Sequence, residues 1–164
     1  MSDIIYYMTP SGYKALADEQ DHLIHKERPK ICEIVSWAAG NGDRSENGDY
    51  IYNKKRLRQI DGRLRYLKKR LENAEIVDPK NQQGLKRVFF GAQVTYVRED
   101  ANGNDVEVSV QLVGEDEADF SQGKINWQSP VGKALLKAEV GDIRRVRVDG
   151  EISEIAVLEV KYII

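Results

Sequence analysis

A chain of 164 residues with 25 basic and 27 acidic side chains, net charge −2, has room for one ordinary domain or two small ones. Near-neutrality excludes a polybasic coat and a disordered acidic tail. The single cysteine, Cys32, excludes an internal disulfide framework and suits a reducing cytoplasm. The start MSDIIYYM carries Asp3 and no basic n-region, and no apolar run approaches the roughly 20 residues that span a bilayer. These features predict a soluble, cytoplasmic protein.

The first helix begins at Thr9-Pro10, where Thr9 serves as N-cap and Pro10 occupies N1, a position that needs no N–H. Tyr13, Leu16, Leu23, Ile31, Ile34 and Ala38 then recur at helical spacing. Pro29 removes one N–H and crowds the carbonyl of His25, which predicts a bend there. Gly40 and Gly42 close the helix.

The second helix carries a cleaner seam. Tyr50, Asn53, Leu57, Ile60, Leu64, Leu67, Leu71 and Ala74 alternate steps of three and four, a heptad stripe sustained past three heptads. Two long helices joined by a short turn run antiparallel, so residues 1–78 are predicted to form a coiled-coil hairpin. About 28 residues at about 1.5 Å rise give an arm of roughly 42 Å.

The turn at the arm's end reads NGDRSENGDY, residues 41–50. Asp43-x-x-Glu46 matches a capping box, in which Asp43 bonds forward and Glu46 reaches back. A calcium loop starting at Asp43 fails at its twelfth position, where Lys54 replaces the bidentate Glu. The other reading is an acid pair at the end of a rigid arm. Two carboxylates hold Mg²⁺ together with waters and substrate phosphates, so such a pair suits a two-metal phosphodiester site completed by another molecule. Capping and chemistry both remain open on the local pattern.

Charge is unevenly placed along the second helix. From Lys54 to Arg70 nine bases stand against one acid, Asp61. Arg56, Arg63 and Arg70 share one line beside the seam, where basic residues are common in any coiled coil. Lys68, Lys69 and Arg70 are predicted to lie near Asp18, Glu19 and Asp21. Lys54, Lys55, Arg56 and Arg58 face a segment of the first helix whose only acid is Glu33, which makes them candidates for RNA phosphates. His22, His25 and Cys32 lack a fourth ligand at closed-site spacing, and Trp37 reads as a packing residue.

VDPKNQQGLKR contains the breakers Pro79 and Gly84, so residues 79–87 are read as a linker to a second domain at 88–164. Beyond it the period becomes alternating. QVTYVRE, DVEVSVQLVG, IRRVRV and EIAVLEVKYI are strand candidates, with a hairpin turn at Asn102-Gly103 and a short helix over 130–138. The predicted fold class is therefore α + (α+β): an antiparallel coiled-coil hairpin followed by a small α+β domain, antiparallel in most pairings.

TPSGYKAL, ERPKICEIVSWAAGNGDRSENGDYIYNKKRLRQIDGRLRYL, KRVFFGAQV, VGEDEADF and SPVGKALLKAEVGD together resemble a bacterial Gre-type transcript-cleavage elongation factor over nearly the whole chain. The tip GDRSEN and the run YNKKRLRQIDGRLRYL place the resemblance on the GreB branch, with Gly48 standing where an alanine is usual. The resemblance implies an FKBP-like second domain that docks at the rim of the RNA polymerase secondary channel through the segment around Ser129-Pro130. It implies that the arm enters that channel as a monomer and meets the nascent RNA 3′ end, with DNA contacted through the polymerase. Asp43 and Glu46 would then share a Mg²⁺ with the polymerase, with Ser45 assisting, and Lys54, Lys55, Arg56 and Arg58 would form the RNA-facing patch. The protein would activate the polymerase's own hydrolytic activity and possess none by itself. The alternative from a different class is a channel-binding inhibitor that does not stimulate cleavage. A prolyl isomerase reading rests on fold likeness alone.

Overall fold

The computed structural model describes residues 4–40, 47–148 and 150–162. In chain order the elements are β1 (Tyr6–Met8), α1 (Pro10–His22), a π-helical turn (Leu23–Glu27), α2 (Arg28–Ala39), α3 (Gly48–Glu72), β2 (Ala74–Ile76), a 3₁₀ turn (Pro79–Gln82), β3 (Gln93–Glu99), β4 (Asp105–Val113), 3₁₀ turns at Glu115–Glu117 and Phe120–Gln122, β5 (Lys124–Asn126), α4 (Pro130–Leu135), β6 (Ile143–Val148) and β7 (Glu151–Lys161). They form two compact units, Tyr13–Ala74 in one, Ile5–Gly12 with Glu75–Ile164 in the other.

In the first unit, where a bend is expected at Pro29, a π turn lies just upstream. Pro29 lies at the start of α2, and the Arg28 N–H donates back to Leu23 O. An extra residue in that turn accommodates the missing donor and the bulk of the proline ring. Leu16, Leu23 and Ala38 are buried on one side of the seam and Asn53, Ile60 and Leu67 on the other. Asn53 meets its polar requirement within its own helix, its Nδ2 donating to Asp49 O at 2.8 Å.

The direction of the hairpin is written in its ion pairs. Arg56 Nε donates to Glu27 at 2.8 Å, and Arg63 Nε and Nη2 donate to Glu19 at 2.6 and 2.8 Å. Moving forward along α3 thus moves backward along the first helical strand. Arg28 Nε to Asp61 at 2.8 Å adds a pair of opposite sense. Of the acids expected beside Lys68–Arg70, Glu19 is held by Arg63, Asp18 by Lys14 at 2.6 Å, and Asp21 lies 3.4 Å from His25. A side chain at i+4 on the same helix lies within easy reach, and this local choice prevails for Asp18 and Asp21.

The second unit contains a five-stranded sheet of order β5-β4-β3-β7-β6. The β3–β4, β3–β7 and β6–β7 pairs are antiparallel and β4–β5 is parallel. Alternation sends Val94, Tyr96, Val110, Leu112, Val146, Ile155 and Val157 into one core, joined by Leu135 and Ala138 from and after α4. Thr95 pairs with Glu159 and Tyr96 with Val157. This bulge skips Leu158, which stays 43% exposed, and keeps the alternation facing inward on both sides of it. At the predicted hairpin turn the Asp100 carboxylate accepts the N–H groups of Asn102 and Asn104, both at 2.9 Å. Those backbone donors, Asn104 first, hold its pKa below the ordinary aspartate range.

The compact units divide the chain differently from 1–78, 79–87 and 88–164. Ile5–Gly12 groups with the sheet unit, because β1 pairs with β2 and Val77 N–H donates to Met8 O at 2.8 Å. Residues 79–87 are not a bare connector either. Asp78 caps the 3₁₀ turn by accepting from Lys80 N at 3.0 Å, and Pro79 is buried. Tyr162 Oη donates to Arg87 O at 2.6 Å and accepts from Phe89 N at 3.0 Å. Breaker residues mark where regular structure stops, but they carry no signal of long-range pairing.

Candidate functional site

The arm's end is framed by two residues that the described structure places in full. Gly40 is the C-cap of α2, and Asn47 is the N-cap of α3, with the extended backbone expected of a cap. The Asn47 side chain is used twice. Its Oδ1 accepts the Tyr50 N–H at 3.1 Å, and its Nδ2 donates to Ala38 O at 2.7 Å. One amide therefore satisfies an orphan donor at the start of α3 and bonds a carbonyl in the last turn of α2.

Asp43, Ser45 and Glu46, the predicted catalytic and metal-holding residues, lie outside the described residues. α3 starts at Gly48 under an Asn47 cap, and the capping box read at Asp43 and Glu46 lies outside the described residues. Asn47 precedes a helical first turn directly and caps it. A residue with cap propensity inside SEN was overshadowed by the more conspicuous acid spacing; the signal was Asn before a regular seam.

The basic face of α3 begins one turn later. Lys54, Lys55 and Arg58 are exposed, and Arg56 is half-buried. Arg56 differs from expectation, since Glu27 rather than Glu33 is the acid that meets it. A guanidinium's long reach spans about one helical turn beyond its own level. Lys54 Nζ bonds Tyr50 Oη at 2.9 Å and lies 5.1 Å from its ring centroid. Lys55 and Arg58 form no ion pair among the described residues. Arg63, farther along, holds Glu19 below the ordinary glutamate range through its hydrogen bonds. Trp37 is 61% exposed, which corrects its reading as a packing residue. Ala38 takes the seam position, and the adjacent side chain is turned about 100° away from it.

In the sheet unit, Ser129 and Pro130 begin α4. Ser129 Oγ accepts the Gly132 N–H at 3.2 Å, while Gln128 and Pro130 remain exposed. Gly132 admits no side chain, because a Cβ there would stand 2.5 Å from Trp127 O. Trp127 itself meets Tyr7 edge-on at 5.5 Å and Phe90 at 6.4 Å. A second polar knot joins Thr9 to Glu117: the carboxylate accepts the Thr9 N–H at 3.0 Å and its hydroxyl, and also the Gly114 N–H at 3.3 Å. Thr9 Oγ1 in turn accepts the Gly12 N–H at 3.1 Å, which is the cap that the sequence predicted. Among the described residues no group of three or more His, Cys, Asp or Glu could hold a metal ion. No described helix is long and apolar enough to cross a membrane.

Residues 6–76 match the family model described as transcription elongation factor, N-terminal, and residues 82–162 match transcription elongation factor, GreA/GreB, C-term. Transcription elongation factor GreB of Neisseria meningitidis serogroup B is 50% identical over 157 residues, covering 96% of this chain and 94% of that protein. GreB of Yersinia pestis is 44% identical, covering 95% and 88%. A GreA, from Syntrophotalea carbinolica, is 39% identical, covering 94% of this chain and 96% of its own length. The helices of the hairpin fall within the first matched segment and the five-stranded sheet within the second, and this chain belongs to the GreA/GreB family of transcription elongation factors, close to its GreB members.

Proposed function

We propose that this protein binds bacterial RNA polymerase in the cytoplasm and stimulates the polymerase's own endonucleolytic cleavage of nascent RNA in backtracked complexes. The observation that carries the reading is the basic face of α3, where Lys55 and Arg58 are exposed and form no ion pair among the described residues, a surface for phosphates. GDRSEN adds two carboxylates close to that face in the sequence. Family membership adds the partner class, because a transcription elongation factor acts on an elongating polymerase.

Asp43 and Glu46 offer hard oxygen donors that suit Mg²⁺ as part of a shared shell. When bound there, Mg²⁺ supplies charge neutralisation at the scissile phosphate and lowers the pKa of a coordinated water. The chain's own part is to present the acid pair at the end of the arm, with Ser45 helping to orient the water. Lys54, Lys55, Arg56 and Arg58 attract RNA phosphates. Glu27 partly neutralises Arg56, so Lys55 and Arg58 carry most of the free charge. Ser129 and Pro130 begin an exposed turn that docks the sheet unit at the rim of the polymerase channel.

The test adds the protein to a backtracked elongation complex with Mg²⁺ and follows the RNA 3′ end. Asp43→Asn and Glu46→Gln should each abolish stimulated cleavage while polymerase binding persists. Cleavage by both variants at the wild-type rate would remove the acid pair from the mechanism. Inhibition of the polymerase without RNA shortening would establish the channel-blocking alternative instead.

A further inference from the structure

α3 carries three tyrosines, and they are not equivalent. Lys54 lies 5.1 Å from the ring centroid of Tyr50, and Arg63 and Arg70 both lie 4.9 Å from that of Tyr66. Tyr52 is 71% exposed and has no ring contact or hydrogen bond among the described residues. An isolated exposed aromatic needs no explanation, but Tyr52 is not isolated. It lines a cleft of about 210 Å³ with Lys55, Arg56 and Gln59. These are positions i, i+3, i+4 and i+7 of one helix face. The volume is below the ~300 Å³ at which pockets for whole drug-sized ligands begin, so the cleft suits one planar group.

Each wall of the cleft contributes a different chemistry. The Tyr52 ring offers an open π-face. Arg56 is oriented by Glu27, with Nε donating at 2.8 Å, so its guanidinium is held in place before any ligand arrives. Lys55 is exposed and without an ion pair among the described residues, leaving its charge for a phosphate. Gln59 has an amide that can both donate and accept at a base edge. An aromatic face beside unspent cations is how single-stranded nucleic acid is held without dependence on sequence. An acidic peptide would use the cations and leave the ring idle. We propose that this face of α3 is a seat for one nucleotide of single-stranded RNA, with the base stacked on Tyr52 and its phosphate met by Lys55 and Arg56.

The seat rests on the reading that the arm meets RNA extruded from a backtracked polymerase, and the experiment separates the two. Backtracked complexes are prepared with 2-aminopurine in the extruded RNA, and the full-length protein is added without Mg²⁺ so that stacking is read as fluorescence quenching. Cleavage is then started with Mg²⁺. Wild type and Tyr52→Phe should quench, whereas Tyr52→Leu should lose most of the quench and cleave about five- to tenfold more slowly. Binding to polymerase, followed by competition, should stay within about twofold for Tyr52→Leu, since a stacking loss at the RNA leaves docking of the sheet unit intact. Circular dichroism verifies that the helix is kept.

Quenching by Tyr52→Leu equal to wild type overturns the seat. Weakened polymerase binding with unchanged quench per bound molecule also overturns it, and assigns the face to a protein contact. Cleavage by wild type with no quench at any 2-aminopurine position removes the seat alone. Absence of both binding and cleavage by wild type removes the functional reading and the seat with it.

Discussion

In the sheet unit, side chains from β3, β4, β6, β7 and α4 converge on one contiguous core, with Leu112, Leu135, Val94 and Val88 at 0% exposure. The arm buries only a seam, chiefly Leu16, Leu23, Ala38, Ile60 and Leu67, and adds the cross-helix pairs Arg56–Glu27, Arg63–Glu19 and Arg28–Asp61. A two-stranded hairpin has no third layer, so each seam residue is covered from one side only. The contrast teaches where variation is tolerated. The arm leaves most of its surface free for contacts with another molecule, and its stability rests on a few positions. The sheet unit commits far more of its side chains to packing.

The largest expected effect tests the core itself. Leu112→Ala should cost about 3–4 kcal/mol, and Ile60→Ala about 2–3, because neighbours in a one-sided seam relax more easily around a cavity. Urea denaturation with hydrogen exchange resolved by unit measures both. Equal costs would mean that the seam is as rigidly packed as the sheet core. Next comes the staple at the arm's end. Asn47→Ala should cost about 1–2 kcal/mol and lower exchange protection of the Tyr50 amide. Unchanged protection there would show that the connection is held by something other than this amide.

A smaller effect concerns pH. Arg63 holds Glu19 below the ordinary glutamate range, so the folded pKa is lower than the unfolded one. The stability contributed is present above the unfolded value, about 4.3, and is lost as pH falls through the lower folded value. The carboxylate is 37% exposed, and solvent screening keeps the contribution small. Comparing urea midpoints at neutral and acid pH should show a shallower decline for Glu19→Gln than for wild type, and identical slopes would leave the pair without weight. The smallest change is a gain. A Cβ at Gly48 meets nothing within 4 Å, so Gly48→Ala should stabilise the first turn of α3 by about 0.4–1 kcal/mol. A loss on this substitution would mean that the turn needs glycine for a reason other than space.

Much of the fold is legible in the sequence where the governing contact is local. Thr9 and Pro10 begin α1 and Gly40 ends α2, as caps and breakers predict. β3 coincides with QVTYVRE and β6 with IRRVRV, since a half-buried strand has to alternate. β7 starts earlier than EIAVLEVKYI suggests, at Glu151, because the extension pairs along β6 while its residues are all exposed and show no half-buried alternation. α4 stops at Leu135, short of the expected 138, where Lys137 takes a positive φ of 68° and the backbone turns to bond Val88. β1, β2 and β5 are three residues each, too short for a period to show.

The division between what the chain alone determines and what the tertiary structure decides follows the range of the interaction. Seam spacing, the basic run, the acid pair and family membership are all properties of residues read within one or two turns, or of identity along the chain. Which acid meets Arg56, which amide staples the arm's end, and which tyrosine is left with a bare face depend on residues 9 to 29 positions apart. The Thr9–Glu117 knot spans 108. A side chain can be assigned a face from its period, but its partner is chosen by whichever distant segment the packed backbone brings within about 3 Å.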